Sequence, residues 1–334
     1  MLHDTHGRKV NYLRLSITDH CNLHCMYCRS QDKLLPRKPH DDILRYEELL
    51  DLVKLSLDMG VRKVRLTGGE PMLRLDFLRF LESVLSLEQK PDVRMTTNGT
   101  LLKGKAALLK DMGLQCVNIS LDTLRPAVFW KITGRDLYAD VRSAMDECLR
   151  TGLRVKINVV GLRGVNEQDL AGFVDLAREN PLDVRFIEFM PMAGGALNRN
   201  ALYWPAPEIL EAASRVADLL PVDREGEEKT AGPARMYAIR GGLGRFGVIS
   251  PMSDHFCGSC NRLRVTSDGR LRTCLFSDRE YRLRPALRHP KLGVDTVRRI
   301  LALANLRKPI GHELLKRKEP EAWITARAMS AIGG

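Results

Sequence analysis

The sequence predicts an α/β fold: an incomplete (β/α)6 barrel similar to a TIM barrel, followed by a smaller cysteine-bearing C-terminal domain. Between residues 10 and 190, short strand-like runs alternate with helical stretches, as in a parallel sheet. A cysteine triplet directly follows the first strand, at the strand end where such barrels carry their functional groups. A charged, Gly- and Pro-containing linker over 222–235 divides the chain into domains 1–221 and 222–334. A doubly wound open sheet is the alternative arrangement of the same units.

The strands and helices follow from local pattern. Runs rich in β-branched and apolar residues predict strands over 12–17, 63–67, 92–96, 116–120, 154–160 and 183–189. Apolar residues at helical spacing predict helices over 46–59, 77–87, 138–151 and 168–180, with another near 205–219. The later run ARMYAIRGGLGRFGVIS predicts two strands around a Gly-rich turn.

One face of the predicted sheet carries cations. Strands buried on both faces should be nearly continuous apolar runs, but these alternate. The polar positions are Arg14 and Ser16, Arg65 and Thr67, Arg94 and Thr96, Lys156 and Asn158, and Arg185. Buried unpaired cations are costly, so the pattern favours a bound polyanion in the barrel mouth. Internal salt bridges are the alternative, although few inward carboxylates are expected at those positions.

Composition and charge narrow the function class. The 334 residues are 44% hydrophobic and 28% charged, a normal globular balance. No apolar run approaches the roughly eighteen residues of a membrane span, and no signal peptide is recognised, so we expect a cytoplasmic protein. Residues 261–334 carry 17 Lys and Arg against 7 Asp and Glu, most of the net charge of +12. With only 6% aromatic residues, a nucleic-acid partner is not expected, nor is a membrane partner.

Six of the eight cysteines form two triplets, Cys21, Cys25 and Cys28, and Cys257, Cys260 and Cys274. Such clustering predicts metal ligands rather than disulfides. Each triplet is one thiol short of a structural zinc site, whereas three thiols on a [4Fe–4S] cluster leave one iron open for another ligand. A zinc ribbon using His255 is the alternative for the second triplet. Cys116 and Cys148 are expected to be buried thiols.

The segment TGGEP at 67–71 follows the second predicted strand. Glycines at a strand end let the backbone approach a ligand closely. Together with the Cys-x3-Cys-x2-Cys spacing after the first strand, it resembles the radical S-adenosylmethionine superfamily. The resemblance implies that the open iron chelates the methionine portion of S-adenosyl-L-methionine and that electron transfer cleaves it to a 5′-deoxyadenosyl radical.

Further motifs extend this resemblance to one family. VRLTGGEP, MTTNGT, NISLDT, KINVV, RFIEFMP, FGVISPMSDHFCGSCNRLRVTSDGRLRTCLF and the final Gly-Gly resemble the molybdenum cofactor biosynthesis protein A family, the GTP 3′,8-cyclases. Residues 196–235 match least. The resemblance implies a lyase that abstracts the C3′ hydrogen of GTP and joins C3′ to guanine C8. The product would be (8S)-3′,8-cyclo-7,8-dihydroguanosine 5′-triphosphate, in the first step of molybdenum cofactor (molybdopterin) biosynthesis.

The resemblance also implies the site residues. One [4Fe–4S] cluster would be held by Cys21, Cys25 and Cys28, and a second, contacting guanine, by Cys257, Cys260 and Cys274. S-adenosyl-L-methionine would be bound by Tyr27, Gly69, Ser120 and Met190. GTP would be bound by Arg14, Arg65, Thr96, Lys156, Arg262, Leu263 and Arg264. Arg185 would assist the chemistry, and Gly333 and Gly334 would enter the active site. No role is implied for Arg94.

The implied partners are an electron donor and a downstream synthase that forms cyclic pyranopterin monophosphate. The chain would be a monomer or a homodimer. Two other function classes stay open: a peptide-modifying radical S-adenosylmethionine enzyme with an auxiliary cluster, and an iron–sulfur or zinc protein that binds nucleic acid. The first usually has more C-terminal cysteines. The second leaves TGGEP and the strand cations unexplained.

Overall fold

The computed structural model describes residues 1–28, 38–192, 199–222, 232–316 and 324–333. Its strands are β1 Leu2–His3, β2 Lys9–Val10, β3 Tyr12–Ser16, β4 Lys63–Thr67, β5 Asp92–Thr97, β6 Cys116–Ser120, β7 Arg154–Gly161, β8 Asp183–Glu188, β9 Leu219–Pro221, β10 Arg235–Ile239, β11 Arg245–Ile249, β12 Arg262–Val265, β13 Arg270–Arg272 and β14 Tyr281–Arg282. Its helices are α1 Tyr46–Asp58, α2 Phe77–Leu85, α3 Ala106–Asp111, α4 Pro126–Thr133, α5 Tyr138–Arg150, α6 Leu170–Glu179, α7 Arg199–Leu202, α8 Ala206–Ser214, α9 Arg284–Arg288, α10 Gly293–Leu306, α11 Gly311–Lys316 and α12 Met329–Ile332.

The α/β prediction and its six central strands are confirmed. β3 to β8 pair in parallel and in chain order, as successive right-handed β–α units in a barrel do. A doubly wound sheet would instead reverse its strand order at a switch point, so that alternative is wrong. The four central helices and the helix near 205–219 are present as α1, α2, α5, α6 and α8. The short helices α3 and α4 were not predicted from the sequence.

Strands from beyond residue 222 extend the same sheet at both edges. β12 pairs in parallel with β3, and β11 pairs in parallel with β8, so eight neighbouring strands run in one direction. Antiparallel strands follow outside them, β13 and β14 on one side and β10 and β9 on the other. The C-terminal part of the chain therefore supplies inward-facing side chains to the same concave surface as β3 to β8.

The core lies between the outer face of the sheet and the helices. The apolar residues of the alternating strands, among them Leu13, Leu15, Val64, Leu66 and Ile157, are fully buried there. Near β8, Phe186 packs edge to face on Phe173 of α6 and lies 5.7 Å from Phe246 of β11, between ring centroids. These aromatic contacts join the C-terminal strand β11 to the central sheet. No helix among the described residues could cross a bilayer.

Candidate active site

The inner face of the sheet surrounds a cavity of about 540 Å³. The cavity lies among inward-facing side chains of β3 to β8, β11 and β12, with the first cysteine triplet and residues of the C-terminal tail at its wall. A smaller cavity beside it is lined by the second triplet. Phe256, Arg262 and Arg264 line both spaces. The two triplets thus flank one continuous region that is bounded by arginines.

Four arginines stand side by side across this surface. Arg264, Arg14, Arg65 and Arg94 are register partners on β12, β3, β4 and β5 in turn. Neighbouring strands lie about 5 Å apart, so the positive charges of neighbouring arginines in this row repel one another. Burial, and then the charges of Arg264 and Arg65, hold the pKa of Arg14 well below its usual range. The alternation prediction is confirmed: the cations face inward, and their arrangement suits a highly charged anion.

Inward carboxylates are more numerous than the sequence analysis expected. Asp183 of β8 pairs with Lys156 at 2.9 Å and with Arg245 at 2.8 Å. Asp92 of β5 pairs with Arg94 at 2.5 Å. This ion pair gives Arg94 a structural role. Both carboxylates share the strand parity of the cations, Asp92 with Arg94 and Asp183 with Arg185, so the alternation rule contained the missing signal. Internal salt bridges therefore neutralise one end of the cavity.

Arg185 differs from those paired cations. Its Nη2 donates to Oδ1 of Asn118 at 2.6 Å and to Oδ1 of Asn158 at 2.7 Å. Both acceptors are neutral amides, which orient the guanidinium without cancelling its charge. Its buried Nε has no hydrogen-bond partner among the described residues. Burial, and then the charge of Arg65, lower the pKa of Arg185 to about 10. Asn118 and Asn158 were not identified as site residues from the sequence.

The other residues predicted to bind GTP differ in whether their side chains face the cavity. Thr96 faces the cavity and accepts a hydrogen bond from Arg65 Nη1 at 2.8 Å. The Arg262 guanidinium lies over the Phe256 ring, 4.8 Å from its centroid. Leu263, between Arg262 and Arg264 in the chain, points into the hydrophobic core, so only its backbone could contact a ligand.

The C-terminal tail reaches this surface. Gly333 accepts a hydrogen bond on its carbonyl oxygen from Arg264 Nη1 at 3.1 Å. Its φ of +72° is in the left-handed region, and a Cβ there would come within 2.8 Å of the Cβ of Ser16. Both the conformation and the contact require glycine at this position. Gly334 lies outside the described residues.

The first triplet follows β3 and packs against β5 and β6. Asn98 Nδ2 donates to Cys21 Sγ at 3.6 Å, and Tyr27 donates its hydroxyl to Asp122 at 2.6 Å. Burial, then the negative charges of Asp122 and the two other thiols, raise the pKa of Cys25 well above its usual range. The three thiols are therefore close enough to repel as thiolates, and a positively charged metal centre would relieve that repulsion.

The Gly-Gly-Glu loop supports this triplet. A Cβ on Gly69 would lie 2.1 Å from the carbonyl oxygen of His20, so glycine is required by packing against the cysteine segment. Glu70 is fully buried and accepts hydrogen bonds from the Asn98 amide at 2.7 Å and from Thr97 Oγ1 at 2.9 Å. Burial raises the pKa of Glu70 to about 7. The loop thus fixes the end of β4 to the end of β5, a role that the sequence analysis did not assign to Glu70.

Ser120 and Met190, the remaining predicted cosubstrate residues, also line the large cavity. Ser120 ends β6 and Met190 follows β8, so both belong to the carboxyl ends of the parallel strands. Tyr27 and Gly69 lie at the same end. The four side chains or backbone groups predicted to bind S-adenosyl-L-methionine are therefore brought to one rim.

The second triplet lies between β11, β12, β13 and α11. A Cβ on Gly311 would come within 2.9 Å of Cys274 Sγ and 3.3 Å of Cys257 Sγ, so a larger residue would intrude among the thiols. Although burial opposes it, the charges of Arg262 and Lys308 lower the pKa of Cys260 to about 6. This three-thiol donor set beside buried cations fits an anionic iron–sulfur cluster.

The zinc alternative gains no support from the side-chain geometry. The His255 ring uses Nδ1 to contact the Pro251 carbonyl oxygen at 2.7 Å, and it stacks on His312 outside the small cavity's lining. Within the described ranges, no three His, Cys, Asp or Glu side chains are close enough to hold a single metal ion, and this holds for both triplets; it does not bear on a four-iron cluster, whose thiolate ligands bind separate irons. Cys116 and Cys148 are buried, as expected.

Comparison with known proteins agrees with this geometry. Residues 15–177 match the Radical SAM superfamily, and residues 182–314 match Molybdenum Cofactor Synthesis C. The structure of SuiB from Streptococcus suis, bound to its precursor peptide SuiA, is similar in fold, with a TM-score of 0.64 and 16% identity. That alignment covers 97% of this chain and 76% of SuiB.

The curated relatives are closer in sequence. GTP 3′,8-cyclase of Alkaliphilus oremlandii (strain OhILAs) is 41% identical over 99% of both chains. GTP 3′,8-cyclase of Moorella thermoacetica (strain ATCC 39073 / JCM 9320) is 41% identical over the full length of both. The parallel sheet and the cysteine triplet after its first central strand agree with a radical S-adenosylmethionine enzyme, a class that uses S-adenosyl-L-methionine and an iron–sulfur cluster. Within that class, the chain belongs to the GTP 3′,8-cyclase family.

Proposed function

We propose that this chain converts GTP to (8S)-3′,8-cyclo-7,8-dihydroguanosine 5′-triphosphate with S-adenosyl-L-methionine as cosubstrate, the first step of molybdenum cofactor biosynthesis. The observation that supports it most is the row of register-paired arginines beside the cavity. A triphosphate carries about four negative charges, and guanidinium groups pair with phosphate oxygens bidentately. A peptide substrate would not require this row.

Two [4Fe–4S] clusters would serve the reaction, one on Cys21, Cys25 and Cys28 and one on Cys257, Cys260 and Cys274. The first, when bound, supplies the electron that cleaves S-adenosyl-L-methionine. Tyr27, Gly69, Ser120 and Met190 would hold that cosubstrate at the rim. Glu70 and Asn98 would keep the Gly-Gly loop and the cysteine segment in register with each other, as their hydrogen bonds suggest.

GTP would lie between the two triplets. Arg14, Arg65 and Lys156, with Thr96, would bind it from the central strands, and Arg262, the Leu263 backbone and Arg264 from β12. Arg185, held by two neutral amides, would keep an uncompensated positive charge beside the reacting ribose. Gly333 and Gly334 would close the site next to Arg264 and exclude water.

Residues 1–221 and residues 222–334 would then contribute different ligand-binding groups. The first part would activate the cosubstrate, and the second would bind the guanine and close the cavity. An electron donor and a downstream synthase that forms cyclic pyranopterin monophosphate would be the partners of this chain in the cytoplasm, where cysteine thiols stay reduced. The chain would act as a monomer or a homodimer.

A panel of nucleoside triphosphates tests this proposal. Anaerobically reconstituted protein is incubated with S-adenosyl-L-methionine, a reductant and one triphosphate at a time, and both 5′-deoxyadenosine and cyclised nucleotide are measured. We expect about eight irons per chain, and cyclised product from GTP alone. Replacing Cys21, Cys25 and Cys28 by Ala should remove about half of the iron and abolish cleavage. Equal turnover of all triphosphates, or stoichiometric zinc at the second triplet, would contradict the proposal.

A further inference from the structure

Lys308 is a buried cation beside the second cysteine triplet. Its side chain is almost wholly buried, and the residue is 1% exposed. Its Nζ donates to the carbonyl oxygen of Arg262 at 2.7 Å and to that of Thr273. Thr273 precedes Cys274 in the chain, and Arg262 follows Cys260 by two positions. One ammonium group therefore joins the backbones of two cysteine-bearing segments.

Arg8 holds the third segment. Its Nη1 donates to the carbonyl oxygen of Cys257 at 2.9 Å, and its Nη2 donates to that of Lys308 at 2.8 Å. Arg8 comes from the first ten residues of the chain and Lys308 from beyond α10. Two buried cations thus connect all three cysteine segments through main-chain carbonyl groups.

The two cations differ in how their charges are balanced. Arg8 forms a buried ion pair with Asp4 at 2.5 Å. The charged groups that act most strongly on Lys308 are the thiols of Cys260 and Cys274 and the cations Arg8 and Arg262. A buried ammonium is costly unless an anion lies close to it. Thiolates that hold a cluster are the anions available there.

We propose that Lys308 is a positioning residue of the second cluster and supplies the positive charge that balances it, while Arg8 fixes the Cys257 segment with its own charge already neutralised. The inference rests on the proposed function, because it requires that the second triplet holds a cluster. Lys308 would then act on the properties of the bound cluster, namely its retention and its midpoint potential. A residue that merely braced the fold would change stability and leave the midpoint potential of a bound cluster unchanged.

Lys308→Met separates these possibilities, since methionine keeps much of the volume and removes the charge. The variant is made in the background of Cys21→Ala, Cys25→Ala and Cys28→Ala, where the second triplet alone can hold iron. Lys110→Met is the matched control, because Lys110 also donates its ammonium to a main-chain carbonyl oxygen, that of Thr151. After anaerobic reconstitution with ferrous iron and sulfide, iron content, the midpoint potential of the cluster and the melting temperature of the empty protein are measured.

The background protein should hold about four irons per chain. We expect Lys308→Met either to lose most of that iron or to shift the midpoint potential to more negative values, because the reduced cluster carries the larger negative charge. The empty variant loses two hydrogen bonds to main-chain carbonyl oxygens, so it should fold and melt at a slightly lower temperature than its parent. The control should change none of these quantities.

Different failures are distinguishable. A background protein that binds no iron overturns the second cluster, and the proposed function with it. Unchanged iron content and potential in Lys308→Met, with the cluster present in the parent, overturn only the role of Lys308. Loss of iron accompanied by unfolding of the empty variant, or an unchanged midpoint potential in the cluster that the variant retains, would show a structural brace and would also overturn it.

Discussion

Replacing Arg264 by methionine should weaken GTP binding without destabilising the ligand-free protein. Arg264 is buried at one end of the arginine row, beside Arg14 on β3. Burial, and then the charge of Arg262, lower the pKa of Arg264 to about 10 from the ordinary 12.5. That difference corresponds to about 3 kcal/mol against the charged form in the empty cavity, and the cost is fully present at neutral pH.

Two losses offset part of the free energy that the variant gains by removing the buried charge. The Gly333 carbonyl group loses its hydrogen bond, which costs about 1 kcal/mol, and the methionine packs less completely. The remaining gain is about 1 to 2 kcal/mol, or a melting temperature that is equal to the parent's or a few degrees higher. With GTP, the loss of one charge-assisted hydrogen bond should cost about 1.5–3 kcal/mol, roughly ten- to a hundredfold in affinity.

The assay pairs calorimetric titration of cluster-loaded protein with GTP and a thermal melt of the ligand-free protein. Binding of S-adenosyl-L-methionine should be unchanged. Arg79→Met is the control, because Arg79 is exposed on α2 and its guanidinium lies 3.8 Å from the Asp76 carboxylate. Unchanged GTP affinity together with a lowered melt would refute the reasoning and identify Arg264 as a structural ion-pair or hydrogen-bond partner.

Three further outcomes are expected. Deleting Gly333 and Gly334 should leave iron content unchanged, lower the stability by no more than the roughly 1 kcal/mol of the lost hydrogen bond to Arg264, and prevent cyclisation; full product yield would contradict this. Gly69→Ala should lower cosubstrate binding and iron retention, since its Cβ would collide with the His20 carbonyl oxygen, and wild-type values for both would refute it. Because the folded pKa of Glu70 is raised to about 7, its stabilising protonation is present at pH 4.5 and lost as pH rises through 7. Glu70→Gln should flatten that part of the melting-temperature profile between pH 5 and 8, and an unaltered profile would count against the assignment.

Strand parity predicted the cavity-facing cations because the two-residue repeat of a strand is a local property. It located Arg14, Arg65, Lys156 and Arg185 correctly. Applied to carboxylates, the same rule also places Asp92 and Asp183 on the inward face, because they begin their strands with the same parity as the cations. The partial neutralisation of the cavity was therefore within reach of the sequence.

Other parts of the site depend on contacts that no local pattern contains. Arg8 meets Cys257 and Lys308 across about 250 and 300 residues of chain, and their pairing has no periodic signal. The need for glycine at 69 arises from one close approach to His20, not from the turn alone. The placement of β11 and β12 at opposite edges of the sheet likewise depends on tertiary packing.

That placement has a consequence for how the chain is made. β3 and β8 are the outer members of the six central strands, and their outward edges pair with β12 and β11, which are synthesised after them. A nascent chain that has reached residue 221 presents two unpaired edges, each able to pair with another chain. We therefore expect the sheet to be completed only after about residue 265 has left the ribosome, and chaperone protection to matter most in that interval.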